Sequence, residues 1–269
     1  MTETVALTTD LTDSILTVRL TAGQSRNPQG PALWRALAKI GAELDPRVRA
    51  VVLCADGPSF SAGLDRRMLT PEGIPGEGSM LDFARMQAAE LDALIATYQE
   101  AFSWWRRCPV VTVAAVQGHA VGAGFQLALA CDVIVAAEDA QFAMKEPALG
   151  LVPDLGGTLP LVAAVGYSRA VELVASARPV GAQEALRIGI AQQVVPPAEL
   201  EAAALAVAKG CAATVPGAVA GSKALLRDAA VRAGGADGGW AQAHDAQLAA
   251  ERAAQGERIR ALAAGFARS

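Results

Sequence analysis

Histidine is nearly absent from this chain, with two in 269 residues, and aromatic side chains make up only 4%. So low an aromatic share fits a core built from Ala, Val and Leu. The four cysteines, Cys54, Cys108, Cys131 and Cys211, form no C-x-x-C pair and have no histidine at metal-ligand spacing. A structural zinc or a redox dithiol is therefore unsupported, and no metal is expected. Cys54, Cys108 and Cys131 sit in apolar runs, where buried thiols in a reducing cytoplasm are expected. A basic surplus is missing as well. The formal net charge of −4 argues against nucleic acid as the main partner, because a phosphate backbone demands a basic surface. The chain contains no G-x-S-x-G, no G-x-x-x-x-G-K-[ST] and no G-x-G-x-x-G, which removes the usual hydrolase, P-loop and dinucleotide readings.

The opening decapeptide MTETVALTTD has neither a basic nor an apolar leader region, so a cytoplasmic location is expected. Charge is also absent from Cys108 to Cys131, yet Pro109, Gln117, Gly118, His119, Gly122, Gly124 and Gln126 interrupt that stretch. Such a mix suits a buried strand, a glycine turn and a buried helix better than a membrane span. No membrane partner is expected.

What the chain does have is 52% hydrophobic residues, enough for a core without disulfides. β-rich runs occur at Ser14–Leu20, Ala50–Ala55, Val110–Val116 and Val133–Ala137. Leu91, Leu94, Ile95, Tyr98, Phe102 and Trp105 form the stripe of an amphipathic helix. Alternation of this kind predicts an α/β fold. From Tyr167 the sequence turns Ala-rich and helical, and Trp240–Ser269 reads as one amphipathic helix. The division expected is an α/β core over 1–196 and a helical region over 197–269. Leu69–Met80, dense in Gly and Pro, reads as a loop of the kind that covers binding sites.

Two turns have a physical use. In VQGHAVGAGFQLALACD a strand is followed by glycines and a helix start, where small residues admit a ligand to unpaired backbone N–H groups. FSAGLD (Phe60–Asp65) follows another strand, and two such turns can each give one N–H to the same oxygen.

The run VAAVQGHAVGAGFQLALACDV (Val113–Val133) resembles the signature of the crotonase, or enoyl-CoA hydratase/isomerase, family. FSAGLD, AQFAMKEPALGLVPDLGGTLPL and SARPVGAQEALRIGIAQQVVP resemble further blocks of that family, in the same order. The resemblance implies a spiral of ββα units with a helical C-terminal trimerisation region, a homotrimer or hexamer, and an acyl-CoA substrate with no separate cofactor. It implies that the N–H groups of Leu64 and Ala123 polarise the thioester carbonyl, and that Ala62, Gly122 and Arg26 contact substrate. Arg260 and Arg268 are the C-terminal basic residues it offers to the CoA phosphates.

The family's hydratases use two glutamates, whose positions fall here on Gln126 and Glu146. Gln can hold water but cannot take a proton as a carboxylate does. Glu146 is retained among apolar neighbours that would raise its pKa. Asp154 is either a turn or capping residue or, by resemblance to the family's dienoyl-CoA isomerases and aryl-CoA dehalogenases, a proton shuttle or nucleophile. Asp132, Asp65, His119 and His244 are expected to be structural. Double-bond isomerisation through an enolate, with Glu146 as acid/base, is favoured. Hydration with Gln126 positioning water and non-catalytic acyl-CoA binding stay open.

Overall fold

The run AVVLCA is apolar on both parities, and a strand pointing successive side chains to opposite faces can bury all of them only between two layers. A computed structural model, which describes residues 5–233 and 239–266, shows that arrangement. The chain runs β1 (Leu7–Thr12), β2 (Ile15–Leu20), β3 (Pro28–Gln29), α1 (Pro31–Ala42), β4 (Ala50–Ala55), β5 (Gly63–Leu64), α2 (Met80–Arg85) and α3 (Ala88–Arg107). It continues with β6 (Val111–Val116), β7 (His119–Val121), α4 (Ala123–Ala130), β8 (Val133–Ala137), β9 (Gln141–Ala143), α5 (Thr158–Val165) and α6 (Tyr167–Ser176). Then follow β10 (Val180–Gly181), α7 (Ala182–Ile188), β11 (Gln193–Val195), α8 (Leu200–Ala212), α9 (Pro216–Ala233) and α10 (Gly239–Phe266).

The main sheet has the order β1-β2-β4-β6-β8-β11. Only the β1–β2 hairpin is antiparallel; the remaining pairs are parallel. Val51, Leu53 and Ala55 of β4 join the larger core, with Trp34, Leu37, Phe102 and Trp105 from α1 and α3. Ala50, Val52 and Cys54 face the other way, onto Leu200, Ala204 and Ala208 of α8. The small side chains at 204 and 208 let α8 lie close on the sheet, so this helix beyond residue 196 covers the sheet's second face.

The sequence expectations over 91–105, 50–55 and 133–137 hold. Leu91, Ile95, Tyr98, Phe102 and Trp105 are all buried on α3. All eight residues of α4 are buried, as expected of a helix inside the uncharged stretch, although the glycine turn before it also contains β7. Two- and three-residue strands such as β3, β5, β7 and β10 are too short to carry a periodic signal. Among the described residues, no single helix is long and apolar enough to cross a membrane. The residue 268 arginine lies outside the described residues.

Several side chains take the structural roles expected of them. Asp132 accepts from Thr112 N at 2.9 Å and pairs with Lys223 at 2.6 Å. Asp65 caps a short 3-10 turn by accepting from Arg67 N. His119 is exposed, with Nδ1 3.3 Å from Ser59 Oγ. His244 is buried beside Arg107, and burial lowers its pKa to about 4.

The second and third sheets, β10-β9-β7 and β3-β5, bring the two glycine-bearing turns together. Ser61 pairs with Ala120 in an isolated parallel bridge, and Val121 N donates to Ser61 O at 3.0 Å. The first turn of α4 then lies against Ser61: a Cβ on Gly124 would stand 2.6 Å from Ser61 O. Helix propensity alone would favour Gly124→Ala by up to about 1 kcal/mol. Forcing packed backbones apart costs about 1–3 kcal/mol, so the clash wins. Gly124→Ala is expected to lower Tm by several degrees in thermal unfolding; an unchanged or higher Tm would show that the two turns have slack.

Candidate active site

A cavity of about 400 Å³ opens between these turns, α2, α3 and α10. Its lining includes the apolar Trp34, Met68, Phe83, Ile95 and Ile259. It also includes Leu64, Ala123, Gln126, Glu146 and Asp154. Leu69 and Met80, the two ends of the Gly/Pro-rich loop, also line it.

Two glycines shape these turns. Gly63 has φ +88° and Gly122 has φ +52°, conformations that side chains with a Cβ rarely adopt. A Cβ on Gly63 would stand 3.6 Å from Ala123 N, so the turns at 63 and 123 are near neighbours. Ala123 is the first residue of α4, where the helix itself offers its N–H no acceptor. A Cβ on Gly122 would stand 3.3 Å from Glu146 Oε1, which places that carboxylate beside the same turn.

Glu146 opens a short 3-10 turn, and its side chain is 8% exposed. Its Oε1 accepts from Gln126 Nε2 at 2.7 Å. Oε2 is buried and has no hydrogen-bond partner among the described residues. The orientation of Gln126 follows from its other end, because Oε1 accepts from Leu155 N at 3.0 Å and Gly157 N at 3.2 Å. Two backbone donors there require the amide oxygen, so Nε2 must face Glu146. Burial is the main cause that raises Glu146 from its ordinary 4.5 to about 7; the Gln126 bond opposes it and the charge of Glu251 adds to it.

Asp154 lines the cavity floor, and burial raises its pKa well above the ordinary value, with Glu146 and Glu251 raising it further. The Gln255 side chain lowers it in part, and Gln255 Oε1 accepts from Val152 N at 3.1 Å. Asp154 does not cap α5. That place belongs to Glu251, which accepts from Gly156 N at 2.7 Å and from Thr158 N at 3.3 Å.

A family profile described as enoyl-CoA hydratase/isomerase matches residues 32–238. The chain belongs to the enoyl-CoA hydratase/isomerase family. It is similar to the human mitochondrial Δ(3,5)-Δ(2,4)-dienoyl-CoA isomerase, with 35% identity over 79% of this chain and 65% of that protein. It is also similar to the Escherichia coli carnitinyl-CoA dehydratase, with 39% identity over 68% of this chain and 65% of that one. The chain thus spans about 65% of the length of each of these curated relatives. Among solved structures, a Thermobifida fusca YX protein assigned as an enoyl-CoA hydratase, in complex with acetoacetyl-CoA, superposes with a TM-score of 0.80. Its identity is 41%, covering 98% of this chain and 96% of that one. The expected crotonase-type architecture with a helical C-terminal region is therefore correct.

For this member of the enoyl-CoA hydratase/isomerase family, seven of the residues singled out in the sequence line one cavity: Ala62, Leu64, Gly122, Ala123, Gln126, Glu146 and Asp154. Arg26 does not join them. Its side chain is exposed, and its backbone carbonyl accepts from Ala62 N at 2.8 Å, so it braces the turn from outside. Arg260 likewise lies on α10 away from the lining. The cations that do line the cavity are Arg66 and Lys145, which no motif had singled out. Gln255 and Ile259, with Glu251 one turn earlier, were also missed. Their i, i+4, i+8 spacing shares one helix face, but two of the three are polar, so an apolar stripe does not reveal them.

The raised Glu146 pKa carries a stability consequence. Between pH 4.5 and 7 the unfolded carboxyl has lost its proton while the folded one keeps it. Stability from this group is thus complete at low pH and falls as pH rises through that window, by up to about 3 kcal/mol. Glu146→Gln is expected to match the parent in urea unfolding at pH 4 and to exceed it by about 1–3 kcal/mol at pH 8. A variant less stable at pH 8 would mean that Glu146 is not desolvated as described.

Proposed function

We propose that this chain is an enzyme that moves a carbon–carbon double bond in an unsaturated acyl-CoA thioester through an enolate. The observation that carries this reading is Glu146 as a lining residue of the cavity beside the Leu64 and Ala123 turns, with one carboxylate oxygen fixed by Gln126 and the other without a hydrogen-bond partner among the described residues.

In this mechanism the thioester oxygen lies between the N–H groups of Leu64 and Ala123. Glu146 takes a proton from the carbon next to the thioester carbonyl, and the electron pair moves onto that oxygen, giving an enolate conjugated with the double bond. Aimed backbone donors of this kind are each worth about 3 kcal/mol as charge develops. Asp154, whose pKa is raised by burial and by the neighbouring carboxylates, returns a proton to a different carbon. Two interacting carboxyls titrate as a pair, so that one can hold a proton while the other takes one. Proton exchange with solvent or between the pair restores the starting state. Coenzyme A enters only as part of the substrate, and proton transfer needs no other cofactor. The similarity to a dienoyl-CoA isomerase supports the same reading.

Hydration of a 2-enoyl-CoA is the second reading, favoured by the Thermobifida fusca neighbour. Against it, Gln126 already spends its oxygen and one N–H on protein groups. Assembly as a homotrimer or hexamer belongs to the proposal too. Leu225 and Leu226 on α9 are 73% and 69% exposed, as apolar side chains at a subunit contact are when the chain is alone.

Purified protein should shift the double bond of 3-enoyl- or 3,5-dienoyl-CoA at least tenfold faster than it hydrates 2-enoyl-CoA. Faster hydration would replace this reading by the second. No turnover, with CoA thioesters still raising Tm, would leave a binding protein only. Glu146→Gln should cost about 10²–10⁴-fold in kcat, and kcat/KM should fall on the acid side with an apparent pKa near 7.

A further inference from the structure

The turn that joins the Glu146 segment to α5 is held by two side chains from opposite directions. Four consecutive backbone N–H groups are involved, from 155 to 158. At the start of a helix such groups have no acceptor within the helix. Here Leu155 N and Gly157 N donate to Gln126 Oε1, at 3.0 and 3.2 Å. Gly156 N and Thr158 N donate to Glu251, at 2.7 and 3.3 Å. The acceptors alternate residue by residue between α4 and α10.

The alternation depends on two glycines. Gly156 has φ +85°, which turns successive peptide N–H groups toward different sides. Gly157 has no room for a side chain, because a Cβ there would stand 2.6 Å from Gln126 Cγ. Glu251 is 3% exposed and accepts a further bond from Thr158 Oγ1. That hydroxyl in turn accepts from Gln247 Nε2 at 2.7 Å, one turn earlier on α10. Every oxygen of the Glu251 carboxylate is thereby committed to the turn.

We propose that Glu251 is a positioning residue: by holding Gly156 and Thr158 it fixes the two intervening donors that orient Gln126, and through Gln126 it aims the Glu146 carboxylate. Its effect on turnover rests on the isomerase reading above, whereas its hold on Gln126 does not. A simple cap for α5 would stabilise the helix without touching Gln126. The alternation of acceptors makes the two inseparable, since Gly157 cannot keep its bond if its neighbours on both sides turn away.

Glu251→Gln keeps the shape but points an NH2 group at a backbone donor, so one side of the turn is released. In this variant, backbone amides 155–158 should exchange with deuterium at least tenfold faster. The Gln126 side-chain amide resonance should move in 15N spectra. Against an active substrate, kcat should drop at least tenfold with KM within threefold, and Glu251→Gln should cost less than threefold more when Gln126→Ala is already present. Thr158→Ala, which removes only the hydroxyl donor, should move the same signals less and serves if Glu251→Gln does not fold. Faster amide exchange with an unmoved Gln126 resonance would overturn the proposal, leaving a cap. So would losses that multiply independently in the double variant. If the wild-type protein turns over no CoA thioester, the isomerase reading fails, while the exchange and resonance measurements still decide the role of Glu251.

Discussion

The amide of Gln126 is the point on which the rest of the site depends. Its oxygen is claimed by two backbone N–H groups, and a side-chain amide so claimed has one direction left for its nitrogen. That nitrogen meets Glu146 Oε1 and leaves Oε2 buried without a hydrogen-bond partner among the described residues. Glutamine here does what a second carboxylate cannot. A carboxylate would accept from the turn equally well, but facing Glu146 it would add a buried negative charge rather than a donor. The residue that breaks the hydratase pattern in the sequence is thus the one that orients the Glu146 carboxylate.

Close approach makes this possible, and glycine makes close approach possible. Gly124 lets α4 rest on Ser61, Gly122 lets Glu146 lie beside the helix start, and Gly157 makes room for Gln126. The electrostatic consequence is a cluster of three carboxyls, Glu146, Asp154 and Glu251, each raised chiefly by burial. Such a cluster weakens the fold as pH rises, because each buried carboxyl resists losing its proton in the folded state.

Much of this is legible in the chain itself. Fully apolar six-residue runs announce strands buried on both faces, and the stripe on α3 announces its buried side. The two glycine turns, Gln126, Glu146 and Asp154 could be named because they lie inside contiguous motifs. The helix that supplies Glu251 and Gln255 lies about a hundred residues further on, and no local pattern ties it to the 155–158 turn. Arg26 is outside the cavity lining, with a φ of +62° and an exposed side chain, while its carbonyl accepts from Ala62 N. Spacing along the chain locates a turn; only the packed backbone determines which way a side chain leaves it.

In the proposed mechanism a thioester oxygen lies at the two turns while Glu146 removes a proton from the adjoining carbon chain. Solvent deuterium measures that step without regard to the product formed. With unsaturated acyl-CoA in D2O, NMR should show deuterium entering the carbons next to the double bond with wild-type protein, and the signal should vanish in Glu146→Gln while ligand still binds. Bound thioester with no deuterium incorporation by the wild-type protein, or incorporation undiminished in Glu146→Gln, would contradict the account.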